Sequence, residues 1–188
     1  LDAPCGAGRI AIHLAHAGCN VSGVDLRRSF TDRAAARSRR ERQSARFLAL
    51  DLREMEFSSE FHGIYNWLGS FGYFSNTENL DVTRRYAKAL RPGGRLLIDQ
   101  PNRETLLRHF VARRAIRGCV TENRWDGETQ RVESDRIVQR NGKTEHNRTS
   151  MRLYTPGQMR SLFERVGLDV EAMYGSHDGE LYTRSSRR

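Results

Sequence analysis

The chain has 188 residues, 37% of them hydrophobic and 29% charged, and a formal net charge of +9. That length suits one domain around one core, no apolar run reaches the ~18 residues of a membrane span, and Cys5, Cys19 and Cys119 are spaced for neither a zinc site nor a disulfide framework. The charge favours polyanionic partners through its long-range field, yet only Lys88 and Lys143 among the 32 basic residues are lysine; this arginine preference reads as compositional bias on a solvated surface, so nucleic acid is disfavoured as a partner and a cytoplasmic location is expected.

The first residues, Leu1-Asp2-Ala3-Pro4-Cys5-Gly6-Ala7-Gly8-Arg9, read as a strand end followed by a glycine turn. Ile10, Ile12, Leu14 and Ala15 then have helical spacing to about Ala17, with Gly18 closing the helix. A strand is predicted over Asn20 to Val24, ahead of Asp25. A second helix follows, capped by Ser29 or Thr31 and running to about Gln43. Ala45 to Leu50 and Phe61 to Leu68 read as two further strands, the first followed by Asp51. Asn76 to Leu90 is helical in spacing, and Arg91-Pro92-Gly93-Gly94 stops it before a buried-type strand, Arg95 to Asp99. Such alternation predicts an α/β fold with a doubly wound, mostly parallel sheet.

After a short helix over Asn102 to Phe110 the pattern changes. Val120 to Leu153 alternates like strands, with turn signals at Trp125-Asp126-Gly127-Glu128 and Arg140-Asn141-Gly142-Lys143. This predicts an inserted antiparallel meander, a β cap over residues 118–153 within a single domain of 1–188. Thr155-Pro156 starts a helix through Met159, Leu162, Phe163 and Val166 to Gly167, and a sixth strand is predicted over Leu168 to Tyr174.

Gly6 and Gly8 let the backbone approach a ligand, and the following helix start offers unpaired N–H groups to a phosphate or carboxylate. Gly6-Ala7-Gly8-Arg9-Ile10-Ala11 also fits the G-x-G-x-x-A dinucleotide fingerprint, and Asp25, ending the second strand, can accept both hydroxyls of a ribose. Those features suit NAD and S-adenosyl-L-methionine alike. No catalytic Tyr/Lys or His pairing marks a nicotinamide enzyme, so an NAD-type oxidoreductase stands second, and a non-catalytic cofactor- or RNA-binding module third. The six histidines show no ligand spacing, so no metal is expected and no catalytic base is nominated.

Asp2, the glycine turn, Asp25, Asp51 and Arg91-Pro92-Gly93-Gly94 together resemble the class I S-adenosylmethionine-dependent methyltransferases, of an uncharacterised bacterial type. Pro4 stands where the first glycine of the family motif usually lies, giving a Pro-Cys-Gly variant. The resemblance extends through Asn66 to Phe74 and Arg152 to Pro156, and implies a Rossmann-like sheet. It implies cofactor contacts from Asp2, Cys5, Gly6, Ala7, Gly8 and Arg9 at the methionine end, from Asp25 and Leu26 at the ribose, and from Asp51 and Leu52 at the adenine. Asn66, Ser70 and Tyr73 would face the methyl group. Arg152 could pair with an acidic group of the acceptor and Tyr154 could donate a hydrogen bond to it. The implied activity is methyl transfer to an O, N or C nucleophile of a small-molecule acceptor, because the Asn/Asp-Pro-Pro-Tyr motif of enzymes acting on DNA bases or glutamine is missing. Against the family fold the chain reads as a fragment truncated at both ends, from Leu1-Asp2 to Ser185-Ser186-Arg187-Arg188, and marginal stability with weak activity is expected of it.

Overall fold

The structure, a computed structural model, describes residues 1–140 and 142–187; Asn141 in the second predicted turn and Arg188 lie outside them. The chain forms two compact units. The first comprises Leu1–Ser70, Leu80–Asp99 and Val166–Leu168; the second comprises Phe71–Asn79, Gln100–Arg165 and Asp169–Arg188. Among the described residues no helix is long and apolar enough to cross a membrane.

The first unit is parallel α/β. After the glycine turn come α1 (Arg9–His16), β1 (Ser22–Asp25), α2 (Arg28–Arg40), β2 (Arg46–Ala49), a short 3₁₀ turn at Leu52–Glu54 and β3 (Phe61–Asn66). Helix α3 (Asn76–Ala89) and strand β4 (Leu90–Ile98) follow. β1 pairs with β2 and β3 with β4, both parallel. Asp2 joins the two ribbons through parallel bridges to Gly23 and Tyr65, so the order across the sheet is β2, β1, Asp2, β3, β4. Ile12, Val24, Met55, Ile64, Val82 and Tyr86 are buried between these elements. At their centre Tyr86 donates its hydroxyl to the Ala3 carbonyl at 2.8 Å and accepts from the Asn66 amide at 3.1 Å.

Three local expectations change here. Neither Ser29 nor Thr31 caps α2: the cap position is Arg27, without a side-chain hydrogen bond, and the Thr31 hydroxyl donates back to the Arg28 carbonyl at 2.9 Å. The strand predicted to reach Leu68 ends at Asn66, because Leu68 and Gly69 take positive φ of 60° and 68°. Arg91-Pro92-Gly93-Gly94 does not separate helix from strand but lies inside β4, where the register slips between Phe61 and Gly63 and Gly93 takes φ 75°. Proline lacks the ladder donor, and an irregularity is where a strand tolerates that loss.

The second unit is built on one antiparallel sheet. Helix α4 (Arg103–Arg108), capped by Asn102, precedes β5 (Arg113–Ile116), β6 (Cys119–Asp126), β7 (Arg131–Arg140) and β8 (Lys143–Arg152). These pair in chain order. The sheet starts earlier than the meander expected from Val120, since the stretch after Phe110, assigned to no element from sequence, contributes β5. The first turn spans four residues between β6 and β7, and the Asp126 carboxylate holds it by accepting from the amides of Glu128 and Thr129 at 2.9 and 3.1 Å. Helix α5 (Pro156–Glu164) has proline in its first turn and a full Thr155/Gln158 capping box.

Among the described residues the predicted sixth strand does not form. Residues 168–173 form no ladder, and the nearest pairing is a single antiparallel bridge from Tyr174 to Leu181. The apolar alternation of Leu168 to Tyr174 suits a strand, but a strand exists only where a neighbour supplies hydrogen bonds. Here the chain turns back on itself, with the Gly175 amide on the Glu180 carbonyl and the Tyr182 amide on the Met173 carbonyl.

Candidate functional site

The glycine turn is shaped from both sides. Cys5 donates its amide to the Val24 carbonyl at 2.8 Å, and Gly6 donates to one oxygen of the Asp25 carboxylate at 2.8 Å. The other Asp25 oxygen accepts from the Arg27 amide at 2.9 Å. A carboxylate offers about four lone-pair sites, so two remain after these bonds.

The glycines divide the work. A Cβ on Gly8 would lie 2.8 Å from the Ala34 Cβ and 2.9 Å from Phe47, and one on Gly23 would lie 2.7 Å from Phe47 and 2.9 Å from Cys5. Both are glycine because α2, β2 and the turn at Cys5 close on them. Gly6, at φ 51°, has nothing within 4 Å of such a Cβ. Its bare side faces open space.

Asp2 is buried, 3% exposed, beside this turn. Burial pushes its carboxyl up to about 7 and the Asp25 charge adds to the shift, while the Tyr65 hydroxyl and the Ala11 amide oppose it. The same burial raises the Cys5 thiol and the Tyr65 hydroxyl well above their ordinary values. Asp2, Cys5, Gly6, Gly8 and Asp25 thus come together as one acid-lined turn. Ala7 lies within it, Arg9 opens α1 as an exposed residue, and Leu26 is 68% exposed beyond Asp25.

Asp51 follows β2, next to β1, but its carboxylate is engaged by Arg53. The Arg53 guanidinium reaches it at 2.7 to 3.2 Å, and the Arg53 amide donates at 2.9 Å. That hydrogen bonding holds the Asp51 carboxyl below the usual range. Leu52 is buried next to it.

At the end of β3, Asn66 is fully buried with its amide on Tyr86, and its Oδ1 has no partner among the described residues. The segment that follows is folded by Asp99, whose carboxylate accepts from the Leu68 amide at 2.8 Å and whose carbonyl accepts from Gly69 at 3.1 Å. Ser70 donates to the Trp67 carbonyl at 3.0 Å. Sequence reasoning passed over Asp99, although it ends β4 just as Asp25 ends β1.

The remaining predicted residues lie in the second unit. Gly72, Tyr73 and Phe74 are gripped by Arg131, which donates to all three of their carbonyls at 3.0 to 3.1 Å. Tyr73 is 45% exposed. Tyr154 is buried, its ring 5.7 Å from Phe71 and 4.8 Å below the Arg152 guanidinium. Burial raises both tyrosine hydroxyls. Arg131 carried no signal in sequence, because its partners, four backbone carbonyls and the Ser150 hydroxyl, lie far along the chain.

Against known proteins, residues 1–94 match the family model described as "Methyltransferase domain". The chain is 32% identical over 104 residues to "Putative methyltransferase YqeM" of Bacillus subtilis (strain 168), covering 53% of this chain and 40% of that relative's length. A solved S-adenosylmethionine-dependent methyltransferase from Clostridium acetobutylicum ATCC 824 superposes with a TM-score of 0.84 at 15% identity, covering 98% of this chain and 78% of its own. The sugar N-methyltransferase KedS8 from Streptoalloteichus sp ATCC 53650 gives 0.71 at 19%, covering 94% and 73%. The last two establish a shared Rossmann-like α/β fold. With half of its length, from the strand end at Asp2 through the glycine turn to Gly94, matched by the family model, the chain belongs to the methyltransferase domain family.

Proposed function

We propose that this domain binds S-adenosyl-L-methionine at the glycine turn and transfers its methyl group to an O, N or C nucleophile of a small-molecule acceptor. The observation that carries this reading is the Gly6 and Asp25 pair: a glycine with open space where a side chain would be, bonded to a carboxylate with lone pairs to spare. A ribose diol can donate to Asp25 without displacing Gly6 or Arg27. Asp2 supports the same reading, because a buried carboxyl that resists ionising gains most from a cation placed beside it. Asn66 offers a desolvated acceptor at the end of β3.

When bound, the cofactor supplies an electrophilic methyl on a sulfonium. The residues of this chain bind, orient and shield. Asp25 fixes the sugar, Asp2 answers positive charge, and Cys5, Gly6, Ala7, Gly8, Arg9 and Leu26 surround them as the turn. Leu52 covers the base, and Asp51 serves the adenine from within its Arg53 pairing. No general base is assigned; alignment of the nucleophile can supply much of the rate. By the family resemblance, Ser70, Tyr73, Arg152 and Tyr154 are the candidates for contact with the acceptor. A small acceptor is supported by KedS8, a neighbour in fold that is by its description a sugar N-methyltransferase.

Calorimetric titration with adenosylhomocysteine and with NAD tests the cofactor reading. Adenosylhomocysteine is expected to bind and NAD not to. Asp25→Ala should weaken adenosylhomocysteine by about a hundredfold, in line with two lost hydrogen bonds to a charged acceptor. NAD binding, or an unchanged affinity in Asp25→Ala, overturns the assignment.

A further inference from the structure

Arg131 opens β7, Arg152 closes β8, and the ladder pairs them directly, so both side chains leave the same face of the sheet. Like charges opposed across an antiparallel pair are destabilising. Elsewhere on this face the sheet avoids that with cross-strand ion pairs: Arg113 with Glu122 at 3.3 Å, Arg148 with Asp135 at 3.1 Å, and Arg124 with Glu133 at 2.5 Å. Among the described residues every hydrogen-bond partner of Arg131 and Arg152 is a neutral oxygen.

Arg131 donates to the Ser150 hydroxyl at 2.7 Å and to the carbonyls of Ser150, Gly72, Tyr73 and Phe74 at 2.8 to 3.1 Å. Arg152 donates to the Asn76 side-chain oxygen at 2.5 Å and to the Gln130 side-chain oxygen at 3.3 Å. Asp126, across from Arg131 on β6, directs its carboxylate to turn amides instead. The acceptors are fixed in place: Gln130 also accepts from Gln158 at 3.0 Å, and Gln158 closes the capping box of α5. Arg152 Nε is buried and has no hydrogen-bond partner among the described residues.

This arrangement positions two half-buried cations side by side, with the Tyr154 ring 4.8 Å from the Arg152 guanidinium and, among the described residues, no carboxylate paired with either. A guanidinium has five N–H donors. Arg131 has an acceptor at each of its three nitrogens, whereas Arg152 uses two donors and keeps Nε–H and one hydrogen on each terminal nitrogen. Tyr154 feels both cations, which pull its hydroxyl down against the upward push of burial.

We propose that Arg152, backed by the charge of Arg131, is an oxyanion-binding site for a phosphate or carboxylate group. Planar donors of this kind match the two oxygens of either group. The assignment rests on the methyl-transfer reading only in taking that group to belong to the acceptor, which makes the acceptor an anionic small molecule. Anion binding itself is measured without cofactor or turnover.

The test titrates the full chain with inorganic phosphate and, separately, with acetate, at constant ionic strength, following arginine Nε–H signals by NMR. The Arg152 signal is identified by its loss in Arg152→Lys. We expect it to shift and saturate, and Arg152→Met to weaken phosphate binding about tenfold or more. Tighter phosphate than acetate assigns a phosphorylated acceptor; the reverse order assigns a carboxylate. An Arg152 signal that neither anion moves overturns the site, and so does a Met variant that binds phosphate as the parent does. The wild-type titration decides the matter even where a variant fails to fold. Anion binding by a chain that ignores adenosylhomocysteine would sink the cofactor reading and leave this site standing.

Discussion

Gly6 and Gly8 sit two residues apart with φ of 51° and 72°, yet they answer to different constraints. Alanine at either position carries the left-handed backbone cost of about 1–2 kcal/mol. At Gly8 the new methyl also meets Ala34 and Phe47, so denaturant unfolding of Gly8→Ala should show a loss of about 3 kcal/mol or more. At Gly6 only the backbone cost applies, and the loss should fall on the ligand: Gly6→Ala should stay folded and bind adenosylhomocysteine about tenfold or more weakly. Equal stability losses with equal affinities would contradict this division. Much of this was legible in sequence, because a glycine turn between a strand and a helix is a local signal and Asp25 ends the next strand. Leu26 and Asp51 are harder. Exposure of the one and the Arg53 partnership of the other depend on neighbours that no spacing reveals.

Among elements, those written by local chemistry match the sequence reading best. Helix α5 starts where Thr155-Pro156 predicts, and α4 begins after Asn102, its cap. Helix α2 defeats the cap reading because Thr31 turns its hydroxyl inward to Arg28. The segment from Leu168 fails for a different reason: alternation is a property of the segment, but a strand is a property of a pair. The tie between β8 and the segment that precedes α3 was invisible for the same reason. The Arg152 amide donates to the Gly72 carbonyl at 2.8 Å, and a Cβ on Gly72 would run into the Arg152 carbonyl. Gly72→Ala should therefore break that tie, costing about 2 kcal/mol or more in thermal or denaturant unfolding. Hydrogen exchange should show the amide of Arg152 losing protection. Protection equal to the parent's would mean that the contact is relieved without opening the tie.

For the whole molecule, the buried acid at the sheet centre links stability to pH. The Asp2 carboxyl rises to about 7 when folded, against about 3.9 unfolded. Between those values the folded chain holds a proton that the unfolded chain releases. The Asp2 contribution is therefore full below about pH 4 and lost as pH rises through 7. Asp51 and Glu41 shift the other way, so their contributions fade only in acid, below the window that Asp2 controls. The Leu1 amine, lowered to about 6 by burial, acts in the opposite sense between about pH 6 and 8, so the Asp2 contribution is read as a difference: in thermal unfolding of the unliganded chain, the Tm of the parent relative to Asp2→Asn should fall from pH 5 to 8. A slope unchanged by Asp2→Asn refutes the assignment.

On the proposed cofactor reading, the fork at Asp25, one oxygen on Gly6 and the other on Arg27, makes scaffold and ligand grip a single object. Any replacement that altered how a nucleoside is held there would also reshape the loop, so variation would carry a double penalty. Divergence toward new acceptors would then be left to positions such as Tyr73, whose side chain is free of that duty.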